Sequence, residues 1–433
     1  MTPGRQPDAG GEYSADEAWA RAEDARDALS WCRERFELPR DAGGAPLLYF
    51  CGNSLGLMPK AAPGMVDAEL DDWGRLAVEG HLAARTPWYS YHEPFGEPMA
   101  RVVGARPEEV VVMNSLTVNL HLMLVSFFRP TGARRKILIE EAAFPSDSYA
   151  VASHLETRGL DPADALLLAR PRPGEAVLRT DDLEALLAER GPEIAMVLLP
   201  GVQYYTGQLL DLARITAAAR SAGCVVGYDL AHAAGNAELR LHDWNVDFAV
   251  WCSYKYLNGG PGAAGGCFVH ERHGRAARPR YAGWWGNDPA TRFQMHLNPA
   301  FVPVPGADGW QLSNPPILSM APLRAALDLF DEAGMPALRA KSERLTGYLE
   351  FLIRRLPRGV AELVTPGDAA ARGCQLSLRA PRASELTGAL RERGIVTDFR
   401  PPDAIRVAPV PSYNTFHEVW RFWQALEGIT RAG

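Results

Sequence analysis

Short apolar runs alternate with helix-like stretches through the middle of the chain, from about residue 60 to residue 310. The apolar runs are Val110–Met113, Lys136–Ile139, Ile194–Leu199, Val225–Tyr228, Phe248–Trp251 and Gly266–Val269. Helix-like stretches lie between most of them, at Leu116–Phe128, Ser146–Thr157, Thr180–Glu189 and Leu210–Ser221. Strands that alternate with helices form mainly parallel sheets covered on both faces. The pattern therefore predicts an α/β fold, in which ligands bind at the carboxyl ends of the strands.

The pattern changes after Pro315-Pro316. The remaining elements are predicted as helices at Ala321–Ala333 and Met335–Leu356, a strand at Cys374–Leu378, a helix at Ser384–Glu392, a strand at Ala404–Ala408 and a helix at Thr415–Glu427. One further helix is predicted near the N-terminus, over Ala15–Phe36. We therefore predict two domains: a large α/β domain over residues 46–314, and a smaller α+β domain built from residues 1–45 and 315–433.

Composition excludes several classes of protein. The 45 Lys and Arg residues against 52 Asp and Glu give a net charge of −7, which argues against a nucleic-acid partner. The longest apolar runs are too short to span a membrane, and the polar, charged first thirty residues do not resemble a secretory signal. Six scattered cysteines without a C-x-x-C pair argue against a zinc site and suit a reducing compartment. We expect a cytoplasmic protein without a metal, a membrane or a nucleic acid as partner.

The chain uses lysine sparingly. Of its 45 basic residues only four are lysines, at positions 60, 136, 255 and 341. Lysine is the basic residue whose amine can form a Schiff base. Lys341 lies in a charged helical stretch, Lys136 follows two arginines at the start of a strand, and Lys60 lies in a turn. These three are predicted to be solvated, which leaves Lys255.

Lys255 follows the apolar run Phe248–Trp251 and precedes a glycine-rich stretch. Partial desolvation at the end of a buried strand favours the neutral amine, which is the nucleophilic form. A lysine whose stem is buried and whose amine reaches water is the alternative. Asp229 ends the preceding strand, with His232 three residues later, and an acid there suits the partner of a pyridinium nitrogen. Asp229 and His232 alone also fit a structural hydrogen-bonded pair, but the lysine on the following strand makes the combination specific.

Two further segments suit a phosphorylated aromatic ligand. Asn114–Asn119 follows a strand and opens a helix, so that its free N–H groups and the hydroxyls of Ser115 and Thr117 suit a phosphate. Phe144 opens another helix three residues before Asp147 and offers an aromatic face. Each segment taken alone also fits an ordinary capped helix. Together with Lys255 and Asp229, they fit pyridoxal 5′-phosphate and an aminotransferase-like fold.

The chain also resembles the kynureninase family along most of its length. The resemblance rests on stretches that follow one another in order: Gly52–Leu57, Asn114–His121, Ala143–Asp147, Tyr205–Gln208, Tyr228–Asn236, Leu241–Trp244, Trp251–Asn258, Gly283–Gly286, Leu312–Leu318 and Ile405–Pro411. It implies a homodimer of the aminotransferase-like pyridoxal phosphate fold. It also implies hydrolysis of L-kynurenine or 3-hydroxy-L-kynurenine to anthranilate or 3-hydroxyanthranilate and L-alanine, in the kynurenine pathway of tryptophan catabolism and NAD biosynthesis.

The resemblance assigns roles to individual positions. Three residues would be catalytic: Lys255, which carries the cofactor and removes the α-proton, Asp229, which keeps the pyridine nitrogen protonated, and Tyr254, a proton donor. The other implied cofactor contacts are Leu116, Thr117 and Ser253 with Tyr254 around the phosphate, Phe144 on the ring, Asp147 at the pyridine, His232 beside the ring, and Trp284 and Asn314. Substrate contacts are implied for Ser54, His81, Asn314 and Arg406, the last on the α-carboxylate, and some of these residues come from the other subunit.

The match is incomplete, and alternatives stay open. Pro200 stands where many relatives have a small hydroxyl residue or glycine, and Thr86 stands where a basic residue is expected. A polar pair formed by His81 and Asn314 favours the 3-hydroxylated substrate. The alternatives are a ring-substituted kynurenine in secondary metabolism, a cysteine desulfurase or aminotransferase of the same fold, and a catalytically silent binding protein. Cys252 and Cys267 both lie in apolar runs, which favours core positions over a reactive thiol.

Overall fold

A computed structural model describes residues 13–432 of the chain. Residues 1–12, which the sequence analysis includes in the smaller domain, lie outside the described residues, as does Gly433. No helix within the described range is both long and apolar enough to cross a membrane.

The strands are short and lie in three sheets. In chain order they are β1 (Leu48–Tyr49), β2 (Val110–Val112), β3 (Lys136–Glu140), β4 (Leu166–Ala169), β5 (Ile194–Pro200), β6 (Val225–Asp229), β7 (Phe248–Trp251), β8 (Gly266–Val269), β9 (Glu362–Leu363), β10 (Leu376–Arg379), β11 (Ile395–Val396), β12 (Asp398–Arg400) and β13 (Ala404–Val407).

The helices cover both faces of the largest sheet and one side of the second. They are α1 (Glu17–Arg26), α2 (Ser30–Glu34), α3 (Ala62–Leu76), α4 (Gly80–Ala83), α5 (Glu93–Val103), α6 (Leu116–Phe127), α7 (Pro145–Thr157), α8 (Pro162–Ala165), α9 (Thr180–Arg190), α10 (Leu212–Ser221), α11 (Glu271–Gly274), α12 (Ile317–Ala333), α13 (Met335–Ile353), α14 (Ala383–Glu392) and α15 (Phe416–Ala432).

The largest sheet has seven strands in the order β2-β8-β7-β6-β5-β3-β4. The strands from β7 to β4 pair in parallel, whereas β8 is antiparallel to both of its neighbours. The predicted mainly parallel α/β sheet is confirmed. Strand β4 was not predicted: it lies at the edge of the sheet, and its sequence, Leu-Leu-Leu-Ala, shows neither the alternation of a half-buried strand nor β-branched residues.

Burial on both faces explains why the strands of this sheet are almost continuously apolar. In β3, Leu138 packs into the cluster that includes Leu183 and Ile215 of α9 and α10. Its neighbours Ile137 and Ile139 point to the opposite face and join the cluster formed with α6 and α7. Successive side chains of a strand alternate between faces, so both faces need apolar residues when helices cover both.

The second sheet has four antiparallel strands in the order β12-β13-β10-β9. Helices α1, α13, α14 and α15 pack around it, and their shared core includes Leu349, Leu376 and Phe422. This is the predicted α+β arrangement. Strand β1 pairs in parallel with β11, and Leu48 belongs to the same core. The residue boundaries of the two predicted domains stay a prediction.

The predicted helix over Ala15–Phe36 is interrupted, and Asp27 lies at the break between α1 and α2. The Asp27 carboxylate accepts a hydrogen bond from the Leu29 N–H at 2.9 Å, which favours a turn over a continuous helix. Its other oxygen lies 2.6 Å from Lys341 Nζ in a buried ion pair, with 8 % of the lysine side chain exposed. The prediction that Lys341 is solvated was therefore wrong, because helix α13 presents this position to the N-terminal segment.

Lys60 and Lys136 were also predicted to be solvated, and both are more exposed to solvent than Lys341. Lys60 is exposed, as predicted. Lys136 is half-buried at the start of β3, and its Nζ lies 3.4 Å from a carboxylate oxygen of Glu193, which is itself 36 % exposed.

Removal of the Lys341 amine leaves the Asp27 carboxylate buried without its cation. We expect Lys341→Ala to lower the free energy of unfolding by about 3 kcal/mol, the cost typical of breaking one buried pair. Lys136→Ala is the matched control, since it breaks a half-exposed pair and should cost under about 1 kcal/mol. Equilibrium urea denaturation measures both, and equal losses in the two variants would contradict the role given to Lys341.

Candidate active site

One pocket at the carboxyl ends of β3, β5 and β6 collects most of the predicted residues. Eight of the predicted cofactor positions line it: Leu116, Thr117, Phe144, Asp147, Asp229, His232, Tyr254 and Lys255. They come from the starts of helices α6 and α7, the end of β6 and the loop after β7. The fold thus brings together residues that are up to 139 positions apart in the sequence, as expected at this edge of an α/β sheet.

Lys255 lies four residues beyond the end of β7. Its Nζ is 3.0 Å from His232 Nε2 and 5.9 Å from the ring centroid of Phe144. Within residues 13–432, no carboxylate oxygen lies within 4.0 Å of this amine. Burial and the positive charges of Lys255 and Arg406 lower the pKa of His232 well below its usual value. The imidazole is therefore neutral, and it can share a proton with the lysine amine.

Two carboxyls lie together in the same pocket. Asp229 is the last residue of β6, flanked by β5 and β7, and its Oδ1 accepts the Ala231 N–H at 2.7 Å. Asp147 lies in the first turn of α7 and is hydrogen-bonded to Asp229. Burial, followed by the negative charge of Asp229, raises the pKa of Asp147 well above its usual range. Asp147 therefore keeps its proton and donates it towards the Asp229 carboxylate.

The start of α6 is suited to an anion. Ser115 occupies the N-cap position without a side-chain capping bond, and the Thr117 hydroxyl lies 3.1 Å from the Ser146 hydroxyl at the start of α7. The first N–H groups of a helix have no partner within it and carry its positive dipole end. Gly265 packs against this helix start: a Cβ there would lie 3.1 Å from Leu116 N and 2.8 Å from the Trp251 carbonyl oxygen. Glycine is therefore needed at position 265, because the backbone there lies too close to the start of α6 to leave room for a side chain.

Three buried polar atoms test whether the pocket fits pyridoxal phosphate. Ser253 Oγ, Asp147 Oδ1 and His232 Nδ1 have no hydrogen-bond partner among the residues that the structure describes. Buried polar atoms without partners are costly, and native proteins rarely keep them. A phosphorylated pyridine with ring substituents supplies polar partners of the right kind, and 42 % of Phe144 is exposed beside it. The residues present therefore fit the cofactor.

Six predicted positions do not line this pocket, and two of them, Ser253 and Arg406, are buried side chains. Ser54 is exposed in the turn after β1, and Asn314 is exposed before α12. His81 lies in α4, with Trp88 edge-on at a centroid distance of 5.6 Å. Trp284 packs edge-on against Trp285 at 4.8 Å. The roles that the family resemblance implies for these four residues stay predictions.

Arg406 is buried in β13, close enough to His232 to affect its charge. Its Nε and Nη2 each lie 2.6 Å from Asp398 Oδ2, and its Nη1 donates to the Tyr204 carbonyl oxygen at 2.7 Å. A guanidinium has five N–H groups. These contacts occupy at most three of the five and leave at least one N–H on each terminal nitrogen without a partner among the described residues.

Several pocket residues were missed by sequence reasoning. These are Glu140, Ser146 and Tyr204. Pro200, which the sequence already marks as a departure from many relatives, also lines the pocket, and its side chain offers no hydrogen bond. Tyr204 packs edge-on against Phe144 at 5.3 Å. Glu140 carried a signal, because an acid that directly follows an apolar strand lies at the ligand-binding edge of a parallel sheet. Nothing in the local sequence of Tyr204 shows that its side chain faces a ligand site.

Solved structures that share this fold include a cysteine desulfurase and the enzyme C-DES. The cysteine desulfurase CsdA from Escherichia coli superposes with a TM-score of 0.76 and 18% identity, covering 93% of this chain and 98% of that one. A C-DES mutant with glycine covalently linked to its PLP cofactor superposes with a TM-score of 0.75 and 19% identity, covering 91% and 98%. The fold and the site together define a fold type I pyridoxal phosphate-dependent enzyme.

Sequence comparison narrows this class to one family. The chain is 56% identical over 421 residues to a kynureninase of Myxococcus xanthus (strain DK1622), covering 97% of this chain and 98% of that protein. It is 54% identical over 412 residues to a kynureninase of Xanthomonas campestris pv. campestris (strain B100), covering 94% and 96%. Residues 338–426 match the family model described as the kynureninase C-terminal domain. The chain belongs to the kynureninase family, which confirms the prediction made from its motifs.

Proposed function

We propose that this chain hydrolyses the Cβ–Cγ bond of L-kynurenine or 3-hydroxy-L-kynurenine, releasing anthranilate or 3-hydroxyanthranilate and L-alanine. The reaction belongs to tryptophan catabolism and feeds NAD biosynthesis. One observation carries the proposal: in a chain of the kynureninase family, a lysine amine, two buried acids and an uncapped helix start converge on one pocket. Pyridoxal phosphate, bound through Lys255, supplies the electron sink for the reaction.

The pocket geometry supports several of the proposed cofactor contacts. The N–H groups at Leu116 and Thr117, with the Ser253 and Tyr254 hydroxyls, suit the phosphate. Phe144 offers a ring face for stacking. Asp229 would hold the pyridine nitrogen, and the protonated Asp147 supports Asp229 by a hydrogen bond.

Proton transfers fall to Lys255 and Tyr254. The Lys255 amine removes the substrate α-proton, and the neutral His232 imidazole at 3.0 Å accepts a hydrogen bond from the ammonium that results. Burial, followed by the nearby Cys252, raises the pKa of the Tyr254 phenol. Tyr254 therefore stays protonated at neutral pH and acts as a proton donor. The Arg406 guanidinium binds the substrate α-carboxylate through its two remaining N–H groups.

We propose that the chain forms a homodimer. In this homodimer, the site of each subunit is completed by four residues of the other: Ser54, His81, Trp284 and Asn314. Leu55, Met58 and Leu318 are exposed apolar side chains around a cleft beside the turn that carries Ser54. The Gly56 N–H in that turn donates to the Tyr254 carbonyl oxygen at 2.8 Å, so the cleft adjoins the lysine segment. Apolar surface of this kind is typical of an interface between subunits.

The cysteines argue for a cytoplasmic kynureninase and against a desulfurase. All six are free and buried, which suits a reducing compartment. Burial raises the pKa values of the Cys252 and Cys267 thiols. A desulfurase needs a reactive cysteine as nucleophile, and these thiols are held in their unreactive protonated form.

Product analysis tests the reaction itself. We expect the purified enzyme to release alanine and an anthranilate from kynurenine and 3-hydroxykynurenine, with a higher kcat/KM on the second substrate because a polar site penalises the analogue without the hydroxyl. Release of sulfide from cysteine without anthranilate would overturn the proposal. A preference for unsubstituted kynurenine contradicts only the choice of substrate, and a preference for ring-methylated analogues indicates secondary metabolism.

The Schiff-base role of Lys255 is testable by absorption. Lys255→Ala should abolish the visible band of the bound cofactor and lower kcat by at least roughly a thousandfold, because no other amine lies in the pocket. Lys60→Ala, the same change at an exposed site, is the control and should leave both properties unchanged. An unaltered absorption spectrum and an unaltered kcat in the Lys255 variant would overturn the Schiff-base role of this lysine.

Arg406→Lys keeps the positive charge but loses the two-pronged geometry of the guanidinium. We expect KM for the substrate to rise roughly tenfold or more, with a much smaller change in cofactor affinity. Arg379→Lys on the neighbouring strand β10 is the control, because that arginine is half-exposed and pairs with Asp403. Equal weakening of cofactor and substrate binding by Arg406→Lys argues against the carboxylate role.

A further inference from the structure

Glu140 is a third acid in the pocket, and the mechanism above does not use it. It ends β3, pairs with Ala169 of β4 in the sheet, and is only 5 % exposed. Its side chain lines the same pocket as Asp147 and Asp229. The next residue, Glu141, is exposed and pairs with Arg170 at 2.7 Å. Two adjacent glutamates thus differ sharply in environment.

The position of Glu140 is held by Gln203. Gln203 Nε2 donates to Glu140 Oε1 at 3.2 Å and to the Ala142 carbonyl oxygen at 2.9 Å. The amide oxygen of Gln203 accepts the N–H groups of Tyr205 and Thr206, both at 2.7 Å. Because two backbone donors occupy that oxygen, the amide nitrogen must face Glu140. The acid therefore sits in a rigid frame that offers it one neutral donor.

The charges around Glu140 do not neutralise it. Asp229 faces it from β6 and Asp147 from α7, while Lys255 and His232 lie across the pocket. In the described part of the chain, no lysine, arginine or histidine pairs with Glu140 within 4.0 Å. Burial, with a smaller contribution from Asp229, raises the pKa of Glu140 to about 7. In the protein without cofactor, this carboxyl is therefore about half protonated at neutral pH.

We propose that Glu140 is a positioning residue of the cofactor site, which releases its proton when the pyridinium ring enters the pocket and so couples cofactor binding to pH. The inference rests on the proposed function, because it needs a positively charged ring beside Asp229. A positive charge favours ionised carboxyls nearby. An ionised Glu140 in turn favours the proton that Asp229 keeps on the ring nitrogen, through the potential that all three acids share.

Binding that releases a proton strengthens as pH rises. Below the pH range in which Glu140 titrates, its carboxyl must lose a proton when the cofactor binds, and the affinity for the cofactor is lower. Above that range, Glu140 is already ionised and the dependence disappears. The pH dependence therefore lies below about 7: its upper end is the pKa that burial gives Glu140 in the free protein, and its lower end is the reduced pKa of Glu140 with the cofactor bound.

The test compares wild type, Glu140→Gln and Glu141→Gln as apoenzymes titrated with pyridoxal phosphate. Calorimetry at pH 7, in buffers with different ionisation enthalpies, counts the protons exchanged. We expect Glu140→Gln to release roughly half a proton fewer than wild type, and to bind the cofactor about tenfold more weakly at pH 8. Glu141→Gln removes the same charge one residue away, at the surface, and should match wild type.

The possible results distinguish a failure of the proposed function from a failure of the role given to Glu140. Wild-type protein that takes up no pyridoxal phosphate overturns the proposed function. Normal uptake with equal proton counts in all three proteins overturns only the role of Glu140. If Glu140→Gln does not fold, infrared difference spectra of the wild type decide: the carbonyl stretch of protonated carboxyls must weaken on cofactor binding, and Glu140→Asp must retain the proton release. A band that does not change overturns the inference.

Discussion

The carboxyl ends of five neighbouring parallel strands meet along one edge of the large sheet, and the rest of the site depends on this constraint. A parallel sheet covered by helices is buried on both faces, so polar side chains can be placed only where the strands end. Asp229 and Glu140 occupy such ends, Asp147 and Thr117 lie at the helix starts that follow strands, and Lys255 lies just beyond β7. The apolar body of the sheet therefore surrounds the acids and withholds water from them.

Burial determines what each group in the pocket can do. It favours a neutral His232, a protonated Asp147 and a protonated Tyr254, and these states follow from lost hydration together with the neighbouring charges. A neutral imidazole can accept a hydrogen bond from the lysine amine, and a phenol must keep its proton in order to donate it. The same physical cause prepares a base and an acid a few ångströms apart.

The sequence predicted the elements whose signal is local. Strands Phe248–Trp251 and Gly266–Val269 were predicted to the residue, because each is a short apolar run bounded by polar or glycine-rich segments. The antiparallel direction of β8 and the edge strand β4 were not predicted, since both depend on which strands pair. In the site, Lys255 and Asp229 were found because their chemistry and their place after a strand can be seen in the sequence. Tyr204 could not be found, since only tertiary packing turns it towards Phe144.

The fold alone does not distinguish this chain from the cysteine desulfurases that it resembles at under 20% identity. The distinction lies in side chains around a common scaffold, as is usual for widely used folds. Here the cysteines are buried residues, and the proposed function assigns a carboxylate-binding role to the buried arginine of β13.

The parallel pairing of β1 with β11 joins residues near the two ends of the chain. A ribosome adds about 5 to 20 residues per second, so roughly 20 to 70 seconds separate the synthesis of Leu48 from that of its partner Ile395. During that interval Leu48 and Phe50, both fully buried in the finished molecule, have no core to join. The strands of the large sheet, β2 to β8, are all synthesised before the chain is complete, so this sheet can form while the chain is still growing. The core around the second sheet needs helix α15 and is completed only near the end of synthesis. The apolar side chains of this N-terminal segment therefore stay without their native partners for most of the time that the chain takes to be synthesised.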